Sequence, residues 1–286
     1  MKSAIARHVA GWLRRYPYRG KVAAWERMAH WLAPGELEIT LSTSGRMQIN
    51  TALHWQRLML AEAFERRSAW LVSHLLAPGD VFIDGGANCG FYSCCAAGRV
   101  GPSGRVIAIE PDARLHAQLA TQAHLNAPVI EVRHHALSDE VGSAEFYLPP
   151  EDIPDGWGLG FVSLEPHPGW TPRVVPTTTM DTIVDAVGRP VALAKLDLEG
   201  HAARALRGAY NALSTRALES VLIEVNDRRL FDELRRHEFD TILDVRNGFV
   251  EIADLGTLDG AHTDLALLRG QCAGRWHRVQ HLSHLM

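Results

Sequence analysis

From residue 71 onward, short apolar runs alternate with segments of helical period. Val81–Asp84, Arg105–Glu110, Ile130–Arg133, Val191–Asp197 and Ser220–Val225 are the apolar runs. Ala113–Leu125 and Ala202–Ser214 carry the helical period between them. Continuous apolar strands separated by helices predict a parallel sheet covered on both faces. Phe239–Val245 and Asp264–Arg269 read as closing strands. The first 70 residues follow another pattern. Ile5, Val9, Trp12 and Leu13 recur at helical spacing, and Pro17 and Gly20 break that helix. Val22 to Leu32 reads as a second helix stopped by Pro34-Gly35, and Leu37, Ile39 and Leu41 alternate as one face of a strand pair within Glu36–Asn50. The division is therefore a helical cap over 1–70 and an α/β domain over 71–286. Residues 149–173, rich in Pro, Gly and Trp, predict a long irregular loop whose Trp157, Phe161 and Trp170 pack on a neighbour.

Composition narrows the class. The chain has 286 residues, 47% hydrophobic and 22% charged, which excludes a disordered chain or a coiled-coil rod. Its 29 basic and 33 acidic residues give a net charge of −4, so no chain-wide basic field points to nucleic acid, and none is expected as a partner. Cys89, Cys94, Cys95 and Cys272 lack zinc-site spacing and are too few for a disulfide scaffold. A reduced, cytoplasmic protein without a secretory signal or a membrane span is expected. The six basic residues from Lys2 to Lys21 leave room for weak peripheral membrane contact, and the aromatic N-terminal segment for a homodimer.

The chemistry lies at the strand ends. Asp84, Glu110 and Asp197 close three apolar runs, and Glu224 stands one residue inside the end of another. In open α/β sheets, ligands bind beyond these carboxyl ends. Asp84 is followed by Gly85-Gly-Ala-Asn-Cys-Gly90, which misses the dinucleotide spacing G-x-G-x-x-G, and no Walker G-K-[ST] is present. An acid directly before the glycines repels a pyrophosphate but suits a cationic ligand. The sulfonium and ammonium of S-adenosylmethionine match Asp84, and its ribose hydroxyls match Glu110. An NAD-dependent oxidoreductase of Rossmann type is the alternative from another class.

Asp84-Gly-Gly-Ala-Asn-Cys-Gly-Phe-Tyr-Ser93 resembles the D-x-G-A-N-x-G-[YF]-[YF]-[ST] signature of FkbM-type methyltransferases. Glu110-Pro111, Ala136-Leu-Ser-Asp139, Thr179-Met-Asp181, Lys195-Leu-Asp-Leu-Glu-Gly200 and Leu222-Ile-Glu-Val225 follow in that family's order. The resemblance spans roughly residues 78–226. It implies a Rossmann-like class I methyltransferase, with a mostly parallel seven-stranded sheet whose last strand is antiparallel. It also implies methyl transfer from S-adenosylmethionine, usually to oxygen on a sugar, glycolipid or natural product. N-methylation of a peptide or metabolite is the nearer alternative. The resemblance assigns Asp84, Gly86, Asn88 and Gly90 to the methionine end of the cofactor. It assigns Glu110 to the ribose, and Ser138 with Asp139 to the adenine side. Asp197 and Glu199 fall near the transferred methyl. Ala202 stands where the family often has a carboxylate. A hydroxyl is a weak nucleophile, so a general base is expected, with Glu199, His201 and Asp197 as candidates. No resident metal is expected, although Asp197 and Glu224 could share a hard cation. His134-His135 reads as strand-end packing, the vicinal Cys94-Cys95 as core filling, and His277, His281 and His284 as a mobile tail.

Overall fold

The computed structural model describes residues 35–150, 161–162, 168–225, 228–253, 255 and 263–285, with residues 5 and 28. The two helices expected within the first 34 residues, the basic stretch Lys2–Lys21, and most of the 149–173 loop including Trp157 lie outside the described residues.

The chain enters as a hairpin, β1 (Glu36–Thr40) and β2 (Arg46–Asn50), followed by helices α1 (His54–Leu60) and α2 (Arg66–Leu75). The α/β rhythm then begins: β3 (Val81–Gly85), α3 (Phe91–Val100), β4 (Arg105–Ile109), α4 (His116–Leu125) and β5 (Ile130–Arg133). A second, four-stranded sheet is inserted here. Its strands are β6 (Ala136–Leu137), β7 (Gly142–Leu148), β8 (Phe161–Val162) and β9 (Thr171–Thr178), in the order β6-β9-β7-β8. The rhythm resumes with α5 (Met180–Val187), β10 (Leu193–Leu196), α6 (Ala202–Arg207), α7 (Tyr210–Ser214), β11 (Val221–Val225) and α8 (Arg228–Leu234). It closes with β12 (Thr241–Asp244), β13 (Val250–Glu251), β14 (Thr263–Leu268) and α9 (Gly270–Val279). No helix among the described residues is long and apolar enough to cross a membrane.

The main sheet runs β13-β12-β14-β11-β10-β3-β4-β5. Strands β5, β4, β3, β10 and β11 are parallel, and β14 is antiparallel to both its neighbours. The expected seven strands gain an eighth, because Gly248 and Phe249 turn the chain in left-handed conformation and lay β13 on the edge of β12. Strand residues alternate between two cores. Phe82, Val106, Ala108 and Leu222 point to the face covered by α2, α3, α9 and the hairpin. Val81, Ile83, Ile107 and Ile223 point to the face covered by α5 to α8. This period of two explains why the runs looked uniformly apolar.

Other expectations change. The helix over Ala202–Ser214 divides into α6 and α7 at Gly208, whose carbonyl accepts from the Asp181 N–H at 2.8 Å, while the Asp181 carboxylate accepts from the Asn211 and Ala212 N–H groups at 3.2 and 2.8 Å. Part of the presumed loop is strand, in β8 and at the start of β9. The C-terminal histidine segment is helical; α9 buries Cys272, Ala273 and Trp276, and His277 Nε2 lies 3.4 Å from Thr241 Oγ1. All four cysteines are buried, and none joins another in a disulfide.

The hairpin is fastened by two side-chain amides, Gln122 in α4 and Asn126 at its C-cap. Gln122 accepts from the Gln48 N–H at 2.8 Å and donates to the Gln48 carbonyl at 2.7 Å. Asn126 does the same for Arg46, at 2.9 and 2.7 Å. Residues four apart share a helix face, so the pair reproduces the hydrogen-bonding edge of a neighbouring strand.

Candidate active site

A cavity of about 200 Å³ opens at the carboxyl ends of β3, β4 and β10. Gly86, Asn88, Glu110, Asp197, Glu199 and His201 all line it. The turn after β3 is held by backbone approach: Gly86 has φ +74°, and a Cβ there would lie 2.0 Å from the Asp197 carbonyl oxygen. Only glycine fits both constraints.

Glu110 forms the floor. It is 6% exposed, accepts from the Asn88 N–H at 2.8 Å on one oxygen and from the Asp112 N–H at 2.8 Å on the other. Each oxygen keeps a lone pair for a ligand hydroxyl. Burial pushes its carboxyl up to about 7, against the pull of the two N–H donors. At one end of the cavity stand Asp112, Leu115, His135, Ala136 and Leu137. His135 is not mere strand-end packing: it lines the cavity with a buried Nδ1 that has no hydrogen-bond partner among the described residues.

Asp84, Gly90, Ser138 and Asp139 do not line the cavity. Asp84 is buried behind the turn, where one oxygen accepts from Ser93 Oγ at 2.6 Å and the other has no partner among the described residues. Gly90, at φ +86°, starts α3. Ser138 Oγ lies 3.1 Å from Asp139 Oδ1 and 3.3 Å from His201 Nε2, and Asp139 faces Arg204 and Arg207 at 3.5 and 3.4 Å. His201 is therefore buried rather than a solvent-facing helix start, and burial, helped by Arg204, pulls its imidazole down to about 4.

At the other end, Lys195 Nζ binds Asp197 Oδ2 at 2.9 Å and lies 4.5 Å from the centre of the Tyr92 ring. The Lys195 ammonium holds Asp197 below the usual carboxylate range; burial pulls Lys195 down, but Asp197, Glu65 and Asp84 together raise it above its ordinary value. Burial and then Asp197 raise Glu199, whose backbone is left-handed at φ 45°. Beyond Asp197 a mainly acidic trough crosses β10, β11 and β14, lined by Glu65, Asp197, Glu199, Glu224 and Asp264 against the two cations Lys195 and Arg246. Burial, followed by Asp197 and Glu199, pushes Glu224 up to about 7.

The sequence reading missed Trp55, Phe64 and Glu65, which all line the cavity from the N-terminal segment. Trp55 belongs to the aromatic cluster noted there, but Phe64 and Glu65 carry no pattern that marks them.

The geometry fits S-adenosylmethionine. An anchored carboxylate with spare lone pairs faces the middle of the cavity, an unpartnered ring nitrogen marks one end, and carboxylates dominate the other. A pyrophosphate would meet Glu65, Asp197 and Glu199 with like charge. Among known proteins, the family profile described as Methyltransferase FkbM domain matches residues 84–250. No curated protein matches the sequence. Solved structures with related architecture include an rRNA methylase from Streptococcus thermophilus (11% identity, TM-score 0.42, covering 71% of this chain and 95% of that one). Another is a SAM-dependent O-methyltransferase from Thermotoga maritima (14% identity, TM-score 0.41, 83% and 78% covered). A third is Aeropyrum pernix fibrillarin with natively bound S-adenosyl-L-methionine (14% identity, TM-score 0.38, 70% and 73% covered).

Proposed function

Because the chain belongs to the FkbM methyltransferase domain family, we propose that it moves the methyl group of S-adenosylmethionine onto a hydroxyl of a sugar, glycolipid or natural product. When bound, this cofactor supplies a methyl group already activated by a sulfonium. Glu110 would take the ribose hydroxyls, and the wall of His135, Ala136 and Leu137 the adenine. The chain's remaining task is to hold an acceptor oxygen in line and remove its proton.

The acidic trough joined to the cofactor cavity carries this reading. Asp197 and Glu199 line both, so an acceptor in the trough reaches the cofactor at those residues. Glu199 is the base. It is exposed to the cavity, is raised by its surroundings, and has no ion-pair partner among the described residues. Asp197 is a weaker base because Lys195 holds it ionised, and it serves to orient the acceptor. His201, pulled down to about 4 and set against Ser138, is a weak base as well. The trough favours oxygen over nitrogen, since surrounding carboxylates keep a bound amine protonated and non-nucleophilic. The same carboxylates repel a phosphodiester backbone, which supports a small-molecule or glycan acceptor.

Transfer of labelled methyl from S-adenosylmethionine into a panel of saccharides and polyols tests the proposal. Glu199→Gln is expected to lower turnover by about 10²-fold or more while cofactor affinity stays within about threefold. Tight NAD binding without S-adenosylmethionine binding would sink the reading. A second reading has its own observation: ligand atoms of Asp197, Glu199 and Glu224 lie within 4.8 Å of one another, a spacing that suits a hard divalent ion. With Lys195 already supplying a positive charge to Asp197, turnover is expected to persist in excess chelator. Loss of turnover, restored by magnesium, would establish the metal.

A further inference from the structure

We propose that Glu65, supplied by the segment before the matched domain, is a cofactor-binding residue that pairs with the ammonium of the amino-acid end of S-adenosylmethionine. The inference rests on the reading that the cavity holds this cofactor. A second, smaller cavity adjoins the first and shares with it Trp55, Glu65, Gly86, Asn88 and Asp197. The second cavity runs from the glycine turn toward α1 and α4, where Leu115 and Gln118 line it, and does not reach Glu110 or His135. Glu65 lies on its Lys195 side, bonded to the hydroxyl of Tyr92, whose ring that ammonium covers. Glu65 therefore stands at the end of the site opposite the His135 wall. With the ribose at Glu110 and the adenine toward His135, the amino-acid end of the cofactor falls at Glu65.

At the glycine turn the competing carboxylates are engaged or withdrawn, and Glu199 lines the main cavity but not the second. Asp84, the acid that the sequence reading gave to this end, lines neither cavity and is held by Ser93. Asp197 gives one oxygen to Lys195. Glu65 accepts the Tyr92 hydroxyl at 2.7 Å through Oε2, and among the described residues its Oε1 takes no hydrogen bond. Tyr92 is fixed in turn, with Lys195 Nζ over its ring. Burial raises the Glu65 carboxyl above its ordinary value, with the Lys195 ammonium opposing. Lys195 lines the second cavity too, so an anion and a cation both face the place where a zwitterionic end group would lie. Glu65 also keeps a left-handed backbone, φ 37° and ψ 48°, without being glycine. That conformation has a cost which the surrounding structure sustains.

Calorimetry on the full chain separates this contact from the rest of the site. The probes are S-adenosylhomocysteine, which has the amino-acid end, and methylthioadenosine, which lacks it. Glu65→Gln keeps an acceptor for Tyr92 but removes the charge. It is expected to weaken S-adenosylhomocysteine about tenfold or more and to leave methylthioadenosine within about twofold. If the glutamine variant does not fold, Glu65→Asp, which withdraws the charge from the cavity, gives the same comparison. Equal losses for both probes, or no loss for either, would overturn the assignment to Glu65 while leaving the cofactor intact. A wild-type chain that binds neither probe would overturn the cofactor reading and this inference with it.

Discussion

Glu110 has a carboxyl that is both anchored and costly to ionise. Burial lifts it from 4.5 to about 7 in the free protein. The native state thus holds this proton more tightly than the unfolded chain does. Its contribution to stability is full below the unfolded value and is lost as pH rises from 4.5 through about 7. Ribose hydroxyls donate to the ionised form, so cofactor binding must expel the proton. Affinity for S-adenosylhomocysteine is expected to rise between about pH 6 and about pH 8, with proton release visible as a buffer-dependent binding heat. Glu110→Gln should weaken binding and flatten that dependence; an unchanged profile would assign the proton elsewhere. Gly86 is constrained by backbone alone. Gly86→Ala meets both a positive φ and the Asp197 carbonyl, so a loss of about 3 kcal/mol or more is expected in denaturant titration. A wild-type midpoint would mean that the turn can relax away from Asp197.

At the scale of elements, the hairpin and α3 meet backbone to backbone. A Cβ on Gly98 would lie 2.3 Å from the Thr43 carbonyl oxygen, and one on Gly45 would lie 1.8 Å from that of Cys94. Gly98→Ala should therefore push the hairpin off α3 and lower stability by about 1–3 kcal/mol, measured by thermal unfolding. Gly142→Ala, whose φ is not positive and whose Cβ would meet only Thr177 Oγ1 at 3.8 Å, controls for the added methyl. The parallel strands were legible because their residues are apolar on both faces, as β3 is buried throughout. The small sheet was not. In β7 only Phe146 and Tyr147 are buried, and β9 exposes its first four residues, so neither has a hydrophobic period to read. Helix α5 was passed over although Thr179 caps it by accepting from the Thr182 N–H at 3.1 Å. The strand-end acids could be read one by one, and the lysine that ties Asp197 stands only two residues before it, but the Tyr92 hydroxyl that ties Glu65 depends on packing between separate segments. The turn before Glu65 uses left-handed Glu62 and Glu65 rather than glycine, so its sharpness left no mark in the residue types.

Over the whole molecule, a net charge of −4 is modest, but its placement is not. Acids gather around the mouth of the site, and a polyanion should be turned away there. A fluorescent single-stranded RNA is expected to show no rise in anisotropy with protein at near-physiological salt; saturable binding that falls steeply with salt would contradict this. The pairing of Gln122 and Asn126 with the hairpin has a consequence for the life of the protein in a crowded solution. Strand β2 would otherwise present bare N–H and carbonyl groups to any passing chain, and two side-chain amides conceal them. Losing either amide would leave most internal contacts standing while uncovering a template for strand addition, so the first symptom of such a change would be clumping during expression rather than a lower melting temperature.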